Sequence, residues 1–333
     1  MRFGPVPLSD ALGATLAHSV AVSSGRLRKG RVLAQEDIGA LEQAGIQEII
    51  VACLDPGDID ENAGAERLAK ALCGPGLRIS DPFTGRVNLL AEGPGVVMMD
   101  RAALEAVNAV HPMVTLATVP PFQQMTENGM VATIKIISYA VPQEAVDAAC
   151  AAAGKAALRL AKRKLRDATL IITDVPGGAG DKGRVAVERR LDALGVTLND
   201  VVMVPHRSAP LAKALAAAQT DLTLVLTASA TSDIDDIAPS ALRQAGGEVE
   251  RFGMPVDPGN LLFLGHLGQR PVIGLPGCAR SPALNGADWV LSRLVCGIPV
   301  TSADIAAMGV GGLLKEIPTR PQPRNPGKSA SGS

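Results

Sequence analysis

Three loops of this 333-residue chain carry residue types that could do chemistry, and each follows an apolar run of strand length. The first is Thr173-Asp174-Val175-Pro176-Gly177-Gly178-Ala179-Gly180-Asp181-Lys182. Its glycines permit close backbone approach to a ligand, and the helix expected next offers free N–H groups to an anion. No Gly-Lys-Ser/Thr follows, so it is not a Walker loop, and a plain turn fits the local pattern equally. The second is Thr227-Ala228-Ser229-Ala230-Thr231-Ser232-Asp233-Ile234-Asp235-Asp236. Its small hydroxylated residues suit a loop that wraps phosphate. Asp233, Asp235 and Asp236 could hold a hard cation such as Mg²⁺ through carboxylate oxygens. Helix capping by one aspartate is the competing explanation, although three carboxylates in four residues exceed what a cap needs. The third is Leu275-Pro276-Gly277-Cys278-Ala279-Arg280-Ser281-Pro282. It reads as a strand entering a Pro-Gly turn and then a helix start bearing Arg280 and Ser281. There a phosphate could meet helix N–H groups and a bidentate guanidinium; the alternative is a tight turn with Arg280 in a surface ion pair. Cys278 lacks a neighbouring base in the sequence and is not expected to be a nucleophile.

These loops need a scaffold. From residue 166 onward, apolar strands alternate with helices of about ten residues. Strands are expected at 169–173, 201–204, 222–227 and 272–275, and helices at 183–194, 208–218, 236–245 and 282–295. Strands apolar throughout, between amphipathic helices, predict a mostly parallel sheet covered on both faces, a three-layer α/β/α domain. Such sheets bind ligands beyond the carboxyl ends of their strands, where the three loops fall. Residues 1–150 read as a smaller α+β region, β-rich over 80–140. Strands are expected at 46–51, 95–99, 115–119 and 130–137, and helices at 36–44, 60–72, 101–110 and 142–153. Residues 151–165 read as a basic linker, 166–300 as the α/β domain and 301–333 as an extension with a disordered Pro- and Ser-rich tail.

Composition narrows the function classes. A 47% hydrophobic content is that of a globular protein. Aromatics are only 2%, too few for the stacking platforms of a single-strand nucleic-acid binder. A net charge of −1 supplies no field for nucleic acid or anionic lipid. The five cysteines are odd in number, scattered and without a C-x-x-C pair, so neither disulfides nor a zinc site are expected, and a reducing, cytoplasmic location fits. No apolar run is long enough for a membrane span. The four histidines, His18, His111, His206 and His266, show no metal-ligand spacing; surface or structural roles are expected of them.

In order and spacing, the second and third loops, with Asp257-Pro258-Gly259-Asn260 between them, resemble the molybdopterin-binding domain of the gephyrin-type family. That family shows Thr-Gly-Gly-x-Ser-x-Gly-x-x-Asp, a Pro-Gly turn, then Leu-Pro-Gly-Asn-Pro-x-Ser. Further segments resemble the N-terminal part of two-domain molybdenum cofactor cytidylyltransferases: Phe83-Thr84-Gly85-Arg86-Val87-Asn88-Leu89, Phe252 to Leu262, and Met308 to Pro318. The resemblance implies a molybdopterin-binding protein of molybdenum cofactor biosynthesis. Thr227, Ser229, Thr231, Ser232, Pro276, Gly277, Arg280 and Ser281 would line the cofactor site, with Arg280 and Ser281 on the terminal phosphate. Asp233 and Asp236 would hold Mg²⁺ or face molybdate, and would be the catalytic pair if the protein inserts metal. Three functions stay open: a molybdotransferase, a module handing the cofactor to a nucleotidyltransferase or molybdoenzyme, and an oligomerising domain with a decayed pocket. No cytidylyl transfer is expected from this chain alone, and relatives imply a homo-oligomer. The family's paired glycines are Ala228 and Ser229 here, whose side chains could block close phosphate approach, and its Asn-Pro is Cys278-Ala279.

Overall fold

The computed structural model describes residues 1–314. The tail expected to be disordered, and the end of the Met308–Pro318 motif, lie outside the described residues from 315 on. The chain forms two compact units, Met1–Gly93 with Val97–Leu160, and Pro94–Val96 with the chain from Ala161 onward.

The first unit mixes helices with small antiparallel sheets. Arg2–Pro7, Glu48–Cys53 and Thr15–Leu16 pair around Leu16, Leu33, Leu41 and Val51. A four-stranded sheet runs Val114–Thr118, Met130–Ile136, Arg86–Ala91, Leu77–Ile79. Helices Glu61–Leu72, Arg101–Val110 and Gln143–Ala153 share one hydrophobic core with it. Two of these helices start where a carboxylate can take orphan N–H groups: Asp60 accepts from Asn62 and Ala63, and Asp100 from Ala103. The third begins after Pro142, which lies just outside it.

The second unit is built on one six-stranded sheet in the order Thr197–Pro205, Asp167–Asp174, Leu222–Leu226, Arg270–Leu275, Phe263–Leu267, Glu248–Phe252. The first four strands are parallel, and Phe263–Leu267 is antiparallel to both its neighbours, so that Glu248–Phe252 runs with the first four. Alternate strand residues enter two separate cores, because successive side chains point to opposite faces. Leu170, Ile172 and Leu224 pack with Val187, Leu191 and Val290, whereas Ile171, Val225 and Val272 pack with Leu211, Leu215 and Leu242. From the 167–174 strand the chain crosses through helix Arg184–Asp192 to the 197–205 strand on one side. It then returns through helix Ser208–Ala217 to the 222–226 strand on the other side. Strand order therefore reverses between 167–174 and 222–226, and a switch point of this kind opens a crevice at the carboxyl ends of the two strands.

Three expectations need correction. The basic segment 151–165 is not a free linker: its start ends a helix, and Leu158–Lys162 is a strand with Leu158 and Leu160 buried and Arg159 exposed. The lysines and arginines mask that alternation. The antiparallel strands 248–252 and 263–267 complete a sheet that the sequence suggested only in its parallel part. Finally, the last large helix spans Gly286–Val295 rather than 282–295. Asn285 and Asp288 form a capping box, the Asn285 side chain accepting from Ala287 and Asp288 from the Asn285 N–H. Residues 277–280 form a separate 3-10 turn. Ser281 and Arg280 thus do not sit on a helix N-terminus, and that source of anion binding is absent from the third loop.

Candidate functional site

The loops that leave the four parallel strands gather at the switch point. There the Thr173 hydroxyl at the end of the 167–174 strand accepts the Ala228 N–H at 2.9 Å, which joins the two strand ends. Thr173 Oγ1 also lies 2.8 Å from His206 Nδ1 at the end of the 197–205 strand. The register places this contact, since Thr173 stands opposite Val204 and Asp174 opposite Pro205.

Arg280 reaches the same peptide from its other end. Its Nη2 donates to the Thr227 carbonyl at 2.7 Å, and its Nη1 donates to the Lys182 carbonyl. One guanidinium thereby ties all three candidate loops together. Burial pushes the Arg280 guanidinium down from its ordinary value, and the Asp174 carboxylate counters this; an arginine remains charged regardless. Close packing comes with the clasp. Gly183, at φ +106°, has space for no side chain, because a Cβ there would lie 2.9 Å from Arg280 Cγ. The bidentate phosphate contact expected of Arg280 is therefore not preformed by a free fork: two donors serve the backbone and three N–H groups of its five are left for a ligand.

The other candidates divide into committed and available groups. Thr227 and Thr231 are buried; Thr227 Oγ1 donates to the Ser229 carbonyl at 2.6 Å and lies 3.4 Å from Thr231 Oγ1. Ser229 is exposed, and Gly277 has open space where a Cβ would be. Pro276 is buried, and Ser232 Oγ donates to Ala230 O. Ser281 Oγ accepts the Ala283 N–H at 3.2 Å. Neither Ala228 nor Ser229 has a positive φ, so the loss of glycine there carries no backbone strain.

The aspartates are explained by local structure. Asp233 Oδ1 accepts the Asp235 N–H, and Asp235 pairs with Arg243 at 2.7 Å. Asp236 caps helix Ile237–Gln244: Oδ1 accepts from Ile237 at 2.6 Å and Oδ2 from Ser232 at 2.9 Å. Among the described residues, no group of three or more His, Cys, Asp or Glu is placed to hold a metal ion. Asp236, Asp233 and Asp235 thus serve locally as a cap, a turn acceptor and an ion-pair partner. Asp236→Ala is expected to cost about 1–2 kcal/mol in urea unfolding, and Asp236→Asn less, since its amide oxygen keeps one of the two N–H bonds. Equal costs for both would show that charge, not capping, is what the site uses.

The Asp257-Pro258-Gly259-Asn260 turn serves the 286–295 helix. The Pro258 carbonyl accepts the Gly286 N–H at 2.8 Å, and a Cβ on Gly259 would meet that nitrogen. Two residues that spacing did not single out complete the site. His206 is visible only once the strands are in register. Arg190 donates through Nη1 and Nη2 to the carbonyls of Ala279, Ser281 and Ala283 and so holds the third loop. None of the five cysteines is in a disulfide among the described residues, and burial pushes the Cys296 thiol up to about 11. Among the described residues, no helix is long and apolar enough to cross a membrane.

A family model described as a domain of unknown function (DUF8806) matches residues 5–53. No curated protein matches the chain. Among solved structures, the chain is similar to the molybdopterin biosynthesis MoeA protein from Pyrococcus horikosii, at 14% identity over 89% of this chain and 75% of that one, with a TM-score of 0.32.

Proposed function

We propose that the second unit binds a molybdopterin-type pterin phosphate at the switch-point crevice, and that the protein serves molybdenum cofactor biosynthesis by holding the pterin for hand-over to a nucleotidyltransferase. The observation that carries this reading is the convergence of the three motif-bearing loops on the Thr227–Ala228 peptide, with Arg280 joining them. Two of the motifs that resemble the gephyrin-type domain, those of the second and third loops, meet there. In this reading the unit is a three-layer α/β/α domain, as the partition of alternate strand residues into two cores supports. Ser229, the open space at Gly277 and the unused N–H groups of Arg280 form the ligand-facing surface. Holding is favoured over metal insertion because both Asp236 oxygens are engaged by backbone N–H groups.

The test is calorimetric titration with molybdopterin under anaerobic conditions, on the intact protein and on Arg280→Ala. The expected result is micromolar or tighter binding by the intact protein and a loss of about 100-fold in the variant. That loss corresponds to one charge-assisted contact plus slackened loops. Arg280→Lys is expected to recover little, since one ammonium cannot bridge the two carbonyls and reach a phosphate in the same geometry. No binding by the intact protein would overturn the reading and leave a scaffold or oligomerising role.

A further inference from the structure

The Thr173 side chain is 1% exposed, and its hydroxyl has one proton to place. The oxygen already accepts the Ala228 N–H. Among the described residues the acceptor in reach is His206 Nδ1 at 2.8 Å. A buried hydroxyl proton left without an acceptor is costly, so Nδ1 accepts it. Neutral His206 then carries its own proton on Nε2, across the ring. His206 is half-exposed, and among the described residues Nε2 has no hydrogen-bond or ion-pair partner.

We propose that His206 is a ligand-positioning residue of the switch-point site, its Nε2–H donating to an oxygen of the ligand's anionic group. This inference rests on the binding function proposed above. Its geometry follows from one peptide. The Thr227 carbonyl and the Ala228 N–H point in opposite directions, as in any trans peptide. Arg280 holds the first and Thr173, backed by His206, holds the second. Arg280 and the Thr173–His206 pair thus hold the end of the 222–226 strand from opposite sides, and the Nε2 edge of the imidazole lies at the carboxyl end of the sheet, where the three loops leave it. The imidazole is fixed by the fold rather than by the ligand, so little side-chain freedom is lost on binding.

Two substitutions separate the halves of the ring. His206→Asn offers an amide oxygen to Thr173 but falls short of the Nε2 position, whereas His206→Gln carries an amide N–H close to it. Molybdopterin titration of the intact protein and both variants is expected to show at least about a tenfold loss for Asn and less than about threefold for Gln. A purely structural histidine would give the reverse order. Imidazole ¹⁵N spectra of the unsubstituted protein supply a measurement that needs no variant: neutral His206 is expected as the Nε2–H tautomer, with the Nε2 signal moving on ligand addition. An Asn variant binding as tightly as the intact protein, or a proton on Nδ1, would overturn this inference alone. An intact protein that binds nothing would overturn it together with the proposed function.

Discussion

Arg190→Ala is expected to destabilise the protein by about 3–5 kcal/mol, the cost of removing one partner from a buried ion pair. Arg190 and Asp288 are only 10% and 15% exposed, with Nε 2.5 Å from Oδ1. The guanidinium also donates to four carbonyls, those of Ala186, Ala279, Ser281 and Ala283, at 2.8–3.0 Å. Its loss would strand the Asp288 charge and free the 277–283 segment that carries Arg280. Native domains have about 5–15 kcal/mol in total, so the variant would be marginal at physiological temperature. Arg190→Lys is expected to recover the charge pair but not the carbonyl contacts, since an ammonium has three donors against five. Urea unfolding, followed by circular dichroism, decides the matter. A shift below about 1 kcal/mol for Arg190→Ala would mean that the segment is held by its own turn geometry instead.

Phe263→Ala should cost a similar amount, about 3–5 kcal/mol, for a different reason. Phe263 is fully buried and stands opposite Gly274 across the antiparallel pair. A Cβ on Gly274 would lie 1.9 Å from the Phe263 ring, so the ring occupies the space that a side chain at 274 would need. Truncating the ring opens a cavity; Gly274→Ala forces the ring away and should itself cost about 1–3 kcal/mol. Because both changes act on one volume, the double variant should be more stable than the sum of the single costs implies. Additivity within about 0.5 kcal/mol would show that the ring and the glycine are not packed as described.

Much of the fold was legible because it depends on local chemistry. The 101–110 helix and the 95–99 strand fall where periodicity puts them. The 222–226 strand is apolar apart from Thr223 and buried on both faces. Aspartates before helices do what short carboxylates do for orphan N–H groups. The opposite case is Glu248–Phe252, where Glu248, Glu250 and Arg251 break any apolar run. It is an edge strand whose identity comes from pairing with Phe263–Leu267, and that pairing is invisible from within the segment. The start of the 286–295 helix was misplaced because a proline at 282 suits a first helical turn, while the Asn285–Asp288 box is the stronger signal.

The candidate site divides in the same way. The residue types in the three loops, and their positions after strands, were set by the sequence, since glycine, proline, hydroxyl and carboxylate preferences act over a few residues. Which of those groups remain free for a ligand was decided by the tertiary structure. Asp236 is consumed by its own helix, Thr227 by its own loop and part of Arg280 by the carbonyls of two other loops. His206, unremarkable in the sequence, enters the site because strand register puts it beside a buried hydroxyl from a segment 33 residues away. A hydrogen-bond partner that distant can be chosen only when the sheet closes, because its direction and distance are properties of the sheet and not of either segment.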